Sequence, residues 1–239
     1  MRIFLAGASG AIGRRLTPML MAAGHSVSST SRSAANAAQL KAQGVDAVVA
    51  DVFDATALRD AVVRARPEVV MHQLTDLPHE FDEGKLAAAY AANARIRTEG
   101  TRNLVAAAQA AAARRFIVQS VAFAYAPGAE PYGESDPLNV VDGPRVTTVR
   151  AAANMEEQVL ASGMAAIVLR YGLFYGPGTW TATPVRKPAL HIDAAAQAAL
   201  LVVSRGGPGI YNIADDEGIV SIDKARKELG FDPAFRLPD

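Results

Sequence analysis

Three evenly spaced glycines, Gly7, Gly10 and Gly13, are the first residues of this 239-residue sequence whose types and placement define a chemistry. They sit in Gly7-Ala8-Ser9-Gly10-Ala11-Ile12-Gly13, straight after the apolar run Arg2 to Ala6 and before an Ala-rich segment of helical periodicity. Strand, glycine turn and helix in that order make a cradle for a pyrophosphate. The glycines allow the tight turn and let backbone approach the anion, and the helix start offers unpaired N–H groups with partial positive charge. A turn that merely needs glycines explains the residues but not their context. The second strand, Ser26 to Ser31, ends in Ser29-Thr30-Ser31-Arg32-Ser33, without the carboxylate that usually holds a ribose 2′-hydroxyl. A guanidinium among hydroxyls suits a 2′-phosphate, which it grips with two hydrogen bonds. Ser31 and Arg32 therefore predict NADP(H) in preference to NAD(H), the alternative being that Arg32 is a solvated loop charge. Asp51, closing the third run, is placed either to meet an adenine amino group or to cap the next turn.

Groups able to move a proton are fewer. Ser120 ends a strand where it can bond a ligand, or be satisfied by backbone. Tyr125, Tyr171 and Tyr175 lie on loops bordering the same cleft, as proton donors or as packing residues. His72 and His79 titrate near neutrality when solvated, but neither has an identifiable carboxylate partner, and the four histidines show no metal-ligand spacing. With no cysteine, thiolate metal sites and disulfides are excluded.

The elements that must position these groups follow from periodicity. Strand-like runs at 2–6, 26–31, 46–50, 68–73, 115–120 and 165–170, most of them apolar, alternate with amphipathic segments at 11–23, 34–43, 56–64, 85–112 and 145–160. Past Tyr171 the pattern loosens into the loop Tyr175 to Trp180, a helix near 193–203, a strand at 209–213 and a helix at 221–229. Alternation of this kind predicts an α/β fold, a Rossmann-like doubly wound parallel sheet with a small C-terminal substrate lobe. The dinucleotide-binding part is expected over 1–170 and the lobe over 171–239, with an interleaved boundary.

These motifs together resemble the extended short-chain dehydrogenase/reductase superfamily, in its NAD(P)-dependent epimerase/dehydratase branch. The resemblance is carried by Gly7 to Gly13, Asp51-Val52, Gly100-Thr101-Arg102-Asn103-Leu104, Leu169-Arg170-Tyr171, Tyr175-Gly176-Pro177-Gly178, His191-Ile192-Asp193, Tyr211-Asn212-Ile213 and Lys227-Glu228-Leu229-Gly230. It implies a cofactor at the sheet's carboxyl edge and hydride chemistry, often on nucleotide-linked sugars. The cofactor set so expected is Gly7, Ala8, Ser9, Gly10, Ala11, Ile12, Gly13, Ser31, Arg32, Asp51, Val52, Gln73, Leu74, Asn93, Ser120, Arg170, Tyr171 and Leu173.

The superfamily's working pair is a tyrosine with a lysine four residues later, on one face of a helix, where the ammonium favours the phenolate. Matching Glu157-Gln158 to the family's Glu-Gln puts Val149 and Ala153 at those positions, and a shift by one puts Thr148 and Ala152 there. There is no lysine between Lys85 and Lys187, so the pair cannot be rebuilt on this helix in any register. Val121 falls at the family's Ser/Thr position. The remaining catalytic candidates are Ser120, Tyr125 and Tyr171.

Compared with the family, the segments 180–190 and 216–219 are short. Either the substrate lobe is reduced or chain is missing there, in which case consecutive Cα atoms would lie further apart than about 3.8 Å. Balanced charge (24 basic and 24 acidic residues) argues against nucleic-acid or membrane-surface partners, and no apolar stretch reaches bilayer length. The sequence thus predicts a cytoplasmic protein with a small-molecule substrate, possible homo-oligomerisation, and atypical NADP-dependent oxidoreductase or isomerase-like activity. The competing reading is a non-catalytic NADPH-binding redox sensor.

Overall fold

The computed structural model describes residues 1–78 and 80–238. In chain order the elements are β1 (Arg2–Ala6), α1 (Ala11–Ala22), β2 (Ser26–Ser31), α2 (Ala34–Ala42), β3 (Asp46–Val49), α3 (Ala55–Ala65), β4 (Val69–His72) and α4 (Glu83–Arg95). They continue with α5 (Thr101–Ala110), β5 (Arg115–Val121), α6 (Val146–Leu160), β6 (Ala165–Tyr171), β7 (Leu173–Tyr175), β8 (Ala189–His191), α7 (Ile192–Leu201), β9 (Gly209–Ile213) and α8 (Asp223–Leu229). Seven strands form one parallel sheet in the order β3-β2-β1-β4-β5-β6-β9. The order reverses between β1 and β4, and that crevice at the carboxyl ends is where an open α/β sheet binds a ligand.

Side chains alternate across a strand, and β1 shows the consequence. Ile3 and Leu5 enter one buried cluster with Leu16 and Leu20 of α1 and the alanines of α7. Phe4 and Ala6 enter the other, with Leu58 of α3, Leu104 of α5 and Met155 of α6. Both faces are covered, as a parallel sheet requires. The small residues of α7 (Ile-Asp-Ala-Ala-Ala-Gln) are buried almost throughout and let that helix lie close against α1. The C-terminal part therefore contributes a strand, β9, and a core helix to the main body. It adds a two-stranded parallel ladder, β7 with β8, and the short helix α8.

Two expectations are corrected. The helix read as continuous over 85–112 is broken by a π turn at Ile96–Gly100. Hydroxyls account for it: Thr98 donates to the Ala94 carbonyl (3.0 Å) and Thr101 to the Ile96 carbonyl five residues back (3.4 Å), loosening the i−4 ladder. Either side of the Gly/Pro loop lie β7 and β8, each three residues long and too short for periodicity to reveal. The segments 180–190 and 216–219 meet each other, Ala189 N–H donating to Glu217 Oε2 at 3.0 Å. Gly176 N–H bonds to Thr181 O (2.8 Å), and Asp215 N–H to Ala189 O (2.8 Å), which ties the two segments together.

Candidate functional site

The glycine loop has the geometry its sequence requires. Gly7 adopts a φ of +102°, a region that L side chains rarely enter, and its C=O accepts from Gly10 N–H at 3.0 Å. A Cβ on Gly13 would lie 2.1 Å from Gly7 O and 2.5 Å from Ala8 O, so only glycine lets α1 press onto the loop. No side chain caps α1, and its first turn holds no acid, so the N–H groups at Ala11 to Gly13 face the crevice for an anion. Arg14 Nε donates to Ser9 O (2.9 Å) and clips the outer arm of the loop.

At the end of β2, Ser31 Oγ accepts from Ser33 N–H (3.2 Å), and Ser33 caps α2 through Asn36 N–H (3.3 Å). Arg32 is bound by Asp76 from the loop after β4, at 2.8 and 3.4 Å. That loop is itself fixed by buried Asn93, whose Oδ1 accepts from Asp76 N–H (3.0 Å) while its amide donates to Ala89 O (3.0 Å). Leu74 of the same loop accepts at its carbonyl from Gln119 (3.3 Å). Asp51 accepts from Phe53 N–H (2.9 Å) in a local turn, and Val52 is buried beneath Gly100. Gln73, 4 % exposed, lies at the carboxyl end of β4 beside Gly7.

Beyond β5 a second constellation forms that the sequence does not announce. Glu156 of α6 is buried and accepts from Ser120 Oγ (2.5 Å), Arg170 Nε (3.0 Å) and Arg170 Nη2 (2.7 Å). Arg170 also donates to Tyr125 Oη (3.0 Å) and Glu134 O (3.2 Å), and Tyr125 donates to Asn212 Oδ1 (2.6 Å). Burial raises the Tyr125 phenol's pKa above its ordinary value, against the pull of Arg170, so the phenol stays protonated near neutrality. Sequence reasoning placed Ser120, Tyr125 and Arg170 here but missed Glu156 and Asn212. The signal for Glu156 was a carboxylate on an otherwise apolar helix face.

Tyr171 is fully buried, its hydroxyl 3.4 Å from Ala195 O, and burial pushes its pKa up. Leu173 is half-buried and opens β7 through a backbone bond to Pro188 O. Tyr175 stacks edge-on against His191. The face of α6 that meets β5 carries Val149, Ala152 and Glu156; Val149 and Ala152 form an apolar cluster with Val121 and Ala124. Neither Val149 with Ala153 nor Thr148 with Ala152 supplies a phenol or an amine.

His72 is fully enclosed, its Nε2–H donating to Thr101 Oγ1 (3.1 Å) and its Nδ1 accepting from Leu74 N–H (3.3 Å). His79 lies outside the described residues. Burial, with nearby Arg97, holds the His72 pKa down from 6.5 to about 4. The unfolded chain takes up this proton first, so the stability His72 confers is complete above pH 6.5 and is lost as pH falls toward 4. Over that window the loss is expected to reach on the order of 3 kcal/mol. Denaturant titrations of wild type and His72→Gln between pH 7.5 and 4 check this. A flatter profile in the variant is expected, and parallel profiles would refute it.

A surface depression of about 450 Å³ beside Arg2, His25 and Asp46 lies at the amino-terminal edge of the sheet, away from all these groups. A smaller pocket, about 160 Å³, opens immediately after β5 between Phe123, Tyr125, Tyr132 and Arg145.

A switch-point crevice, a glycine cradle and an uncapped helix start define a dinucleotide-binding α/β protein. The model of the NAD dependent epimerase/dehydratase family matches residues 3–208, and the chain belongs to that family. It is 43% identical, over 263 aligned positions, to a 3-diazoavenalumate denitrifying reductase of a Streptomyces species, covering all of this chain and 84% of the relative. That alignment is longer than this chain, so the relative carries internal residues absent here. Among solved structures the chain resembles UDP-glucose 4-epimerase from Thermotoga maritima (TM-score 0.80, 16% identity, 99% of this chain and 94% of the other). It likewise resembles dTDP-glucose 4,6-dehydratase from Streptomyces venezuelae, solved with NAD (TM-score 0.77, 17% identity, 99% and 93%). At such identities the structures speak for the fold. The family and the reductase relative together support an enzyme. Among the described residues, no helix is long and apolar enough to cross a membrane.

Proposed function

We propose that this chain is a nicotinamide-dependent reductase that works without a dedicated enzyme acid, on an aryl diazonium-type substrate. When bound, the dinucleotide supplies a hydride. The fit of the site to that group rests on the tight turn at Gly7 and Gly13, where a Cβ would strike the backbone of Gln73 and of Gly7, and on the open first turn of α1. The reading is carried by one observation: the β5–α6 face where a proton donor would stand is the apolar cluster of Val121, Ala124, Val149 and Ala152. The hydroxyl protons of Ser120 and Tyr125 are held by Glu156 and Asn212.

A carbonyl reduction needs a hydride and a proton. Replacement of a diazonium group needs only the hydride: a C–H bond forms, and the C–N bond breaks with its electron pair leaving on N₂. The cofactor is oxidised by two electrons and no proton is consumed. An apolar, proton-poor wall is adequate for that reaction, and the Streptomyces relative's name describes a reductive loss of nitrogen from a diazo compound. On this reading Ser120, Tyr125 and Arg170 hold the strand ends together, Val121 and Val149 exclude water, and cytoplasmic NADPH is the reductant.

The test uses an aryl diazonium salt with cofactor deuterated at its transferable position. Stoichiometric N₂ release with deuterium on the ring carbon supports the reading; reduction of ketones or aldehydes in preference to the diazonium overturns it. Tyr125→Phe is expected to change kcat by less than about tenfold, whereas removing a working acid costs about 10²–10⁴.

For NADP preference, Arg32 beside Ser31 and Ser33 is the support, with Asp76 as its resting partner. Asp76→Asn should release Arg32 and tighten NADPH several-fold while leaving NADH nearly unchanged. Arg32→Gln should abolish the difference between the two. Equal affinity of wild type for both cofactors would remove the proposal.

A further inference from the structure

We infer that the pocket beyond β5 is a recognition site for one aromatic ring bearing a carboxylate. The inference rests on the reductase reading and names the class of substrate it would take. The walls are aromatic: Tyr125 and Tyr132 stack at 5.2 Å with ring planes 4° apart, and Phe123 faces the same space. The volume, about 160 Å³, suits a single six-membered ring, since a cavity of roughly 150 Å³ accepts benzene. It is well below the roughly 300–1,000 Å³ that larger ligands occupy. The pocket thus holds one ring within its walls, in keeping with the short connections at 180–190 and 216–219.

Two cations stand at the mouth. Arg145 lies over the Phe123 ring, 4.6 Å from its centroid, and pairs with no carboxylate among the described residues. Lys187 makes one loose ion pair, 3.6 Å to Glu217, and its side chain is 58% exposed. An anionic substituent carried on the ring meets Arg145 as it emerges from the aromatic walls. The guanidinium offers a carboxylate two parallel hydrogen bonds, and Lys187 adds a point charge. Glu217 weakens the lysine's share, which makes Arg145 the main determinant. Phe123, which lines the pocket, also packs against the Val121, Ala124, Val149 and Ala152 cluster, so the ring lies next to the proton-poor wall of the proposed reaction.

The experiment is calorimetric titration of the intact protein with cinnamate, its neutral analogue cinnamide, cyclohexanecarboxylate and UDP. Cinnamate is expected to bind at least tenfold more tightly than the other three. Arg145→Gln should weaken cinnamate about tenfold and leave cinnamide unchanged; Phe123→Ala should weaken both. Arg145 is solvent-exposed, so unfolding of that variant is not expected, and melting curves check it. Cinnamide binding as tightly as cinnamate, or Arg145→Gln binding as wild type, would overturn the assignment. The two proposals separate because this readout needs no turnover. If a diazonium lacking the carboxylate is reduced while cinnamate fails to bind, the reductase reading survives and the pocket assignment falls. If cinnamate binds but no diazonium is reduced, the reverse holds.

Discussion

Gly13→Ala is expected to lose nicotinamide dinucleotide binding by a hundredfold or more, and to lower the melting temperature as well. The new Cβ would stand 2.1 Å from Gly7 O and 2.5 Å from Ala8 O, both backbone atoms that no rotamer change can move. Helix α1 must shift outward by about an ångström, beyond the tolerance of a hydrogen bond. Ile12, Leu16 and Leu20 then lose their fit against β1 and α7, an overpacking cost of about 1–3 kcal/mol. The N–H groups of the first turn move away from the anion at the same time. Two charge-assisted hydrogen bonds of about 1.5–3 kcal/mol each correspond to a hundredfold or more in affinity, at about 1.4 kcal/mol per factor of ten. Gly10→Ala provides the graded control: its Cβ meets only Gly7 O, at 3.2 Å, and a small loss is expected. Gly24→Ala tests strain alone, because Gly24 has a φ of +79° with nothing within 4 Å. Titration of reduced cofactor by fluorescence, beside thermal melts, ranks the three. Wild-type affinity in Gly13→Ala would show that the loop is not the cofactor cradle.

What was legible in the sequence, and what was not, follows from how local each interaction is. The glycine loop was legible because its chemistry is encoded within seven consecutive residues. The central strands were legible because a sheet buried on both faces forces continuous apolar runs, as in Val69-Val70-Met71. The π turn was not, since it depends on Thr98 and Thr101 bonding carbonyls whose neighbours look helical. Arg32 was legible as an isolated cation near hydroxyls. Its pairing with Asp76 was not, because that contact spans 44 residues and two crossovers. The same holds for Glu156. On the helix it sits among alanines, and only the packing of α6 against β5 and β6 shows that it collects Ser120 and Arg170. The apolar wall was the reverse case: the missing lysine announced it, and the structure supplied the neighbours Val121 and Ala124 that close it.

Arg170→Met is expected to destabilise the protein by about 3–5 kcal/mol, a large share of the roughly 5–15 kcal/mol that holds a typical domain. Removing the guanidinium leaves Glu156, its side chain 6% exposed, as a buried carboxylate with only Ser120 to bond it. It also frees Tyr125 and the Glu134 carbonyl, so the loop that forms one wall of the aromatic pocket loses its tie to β6. Glu156→Gln should be milder, because an amide oxygen still accepts from Ser120 and Arg170. The decisive variant is the double substitution Arg170→Met with Glu156→Leu, which removes both charges and fills the space with apolar volume. If the cost in the single variant is the stranded carboxylate, the double should recover most of the stability. It should not recover the order of the Tyr125 loop, because nothing then holds the phenol on the β6 side. Chemical denaturation of the three variants measures the first effect, and cinnamate affinity in the double variant measures the second. A single variant as stable as wild type would mean that Glu156 is not stranded without Arg170. A double variant as unstable as the single would mean that the guanidinium's bonds to Tyr125 and Glu134, rather than its neutralisation of Glu156, carry the stability of this end of the sheet.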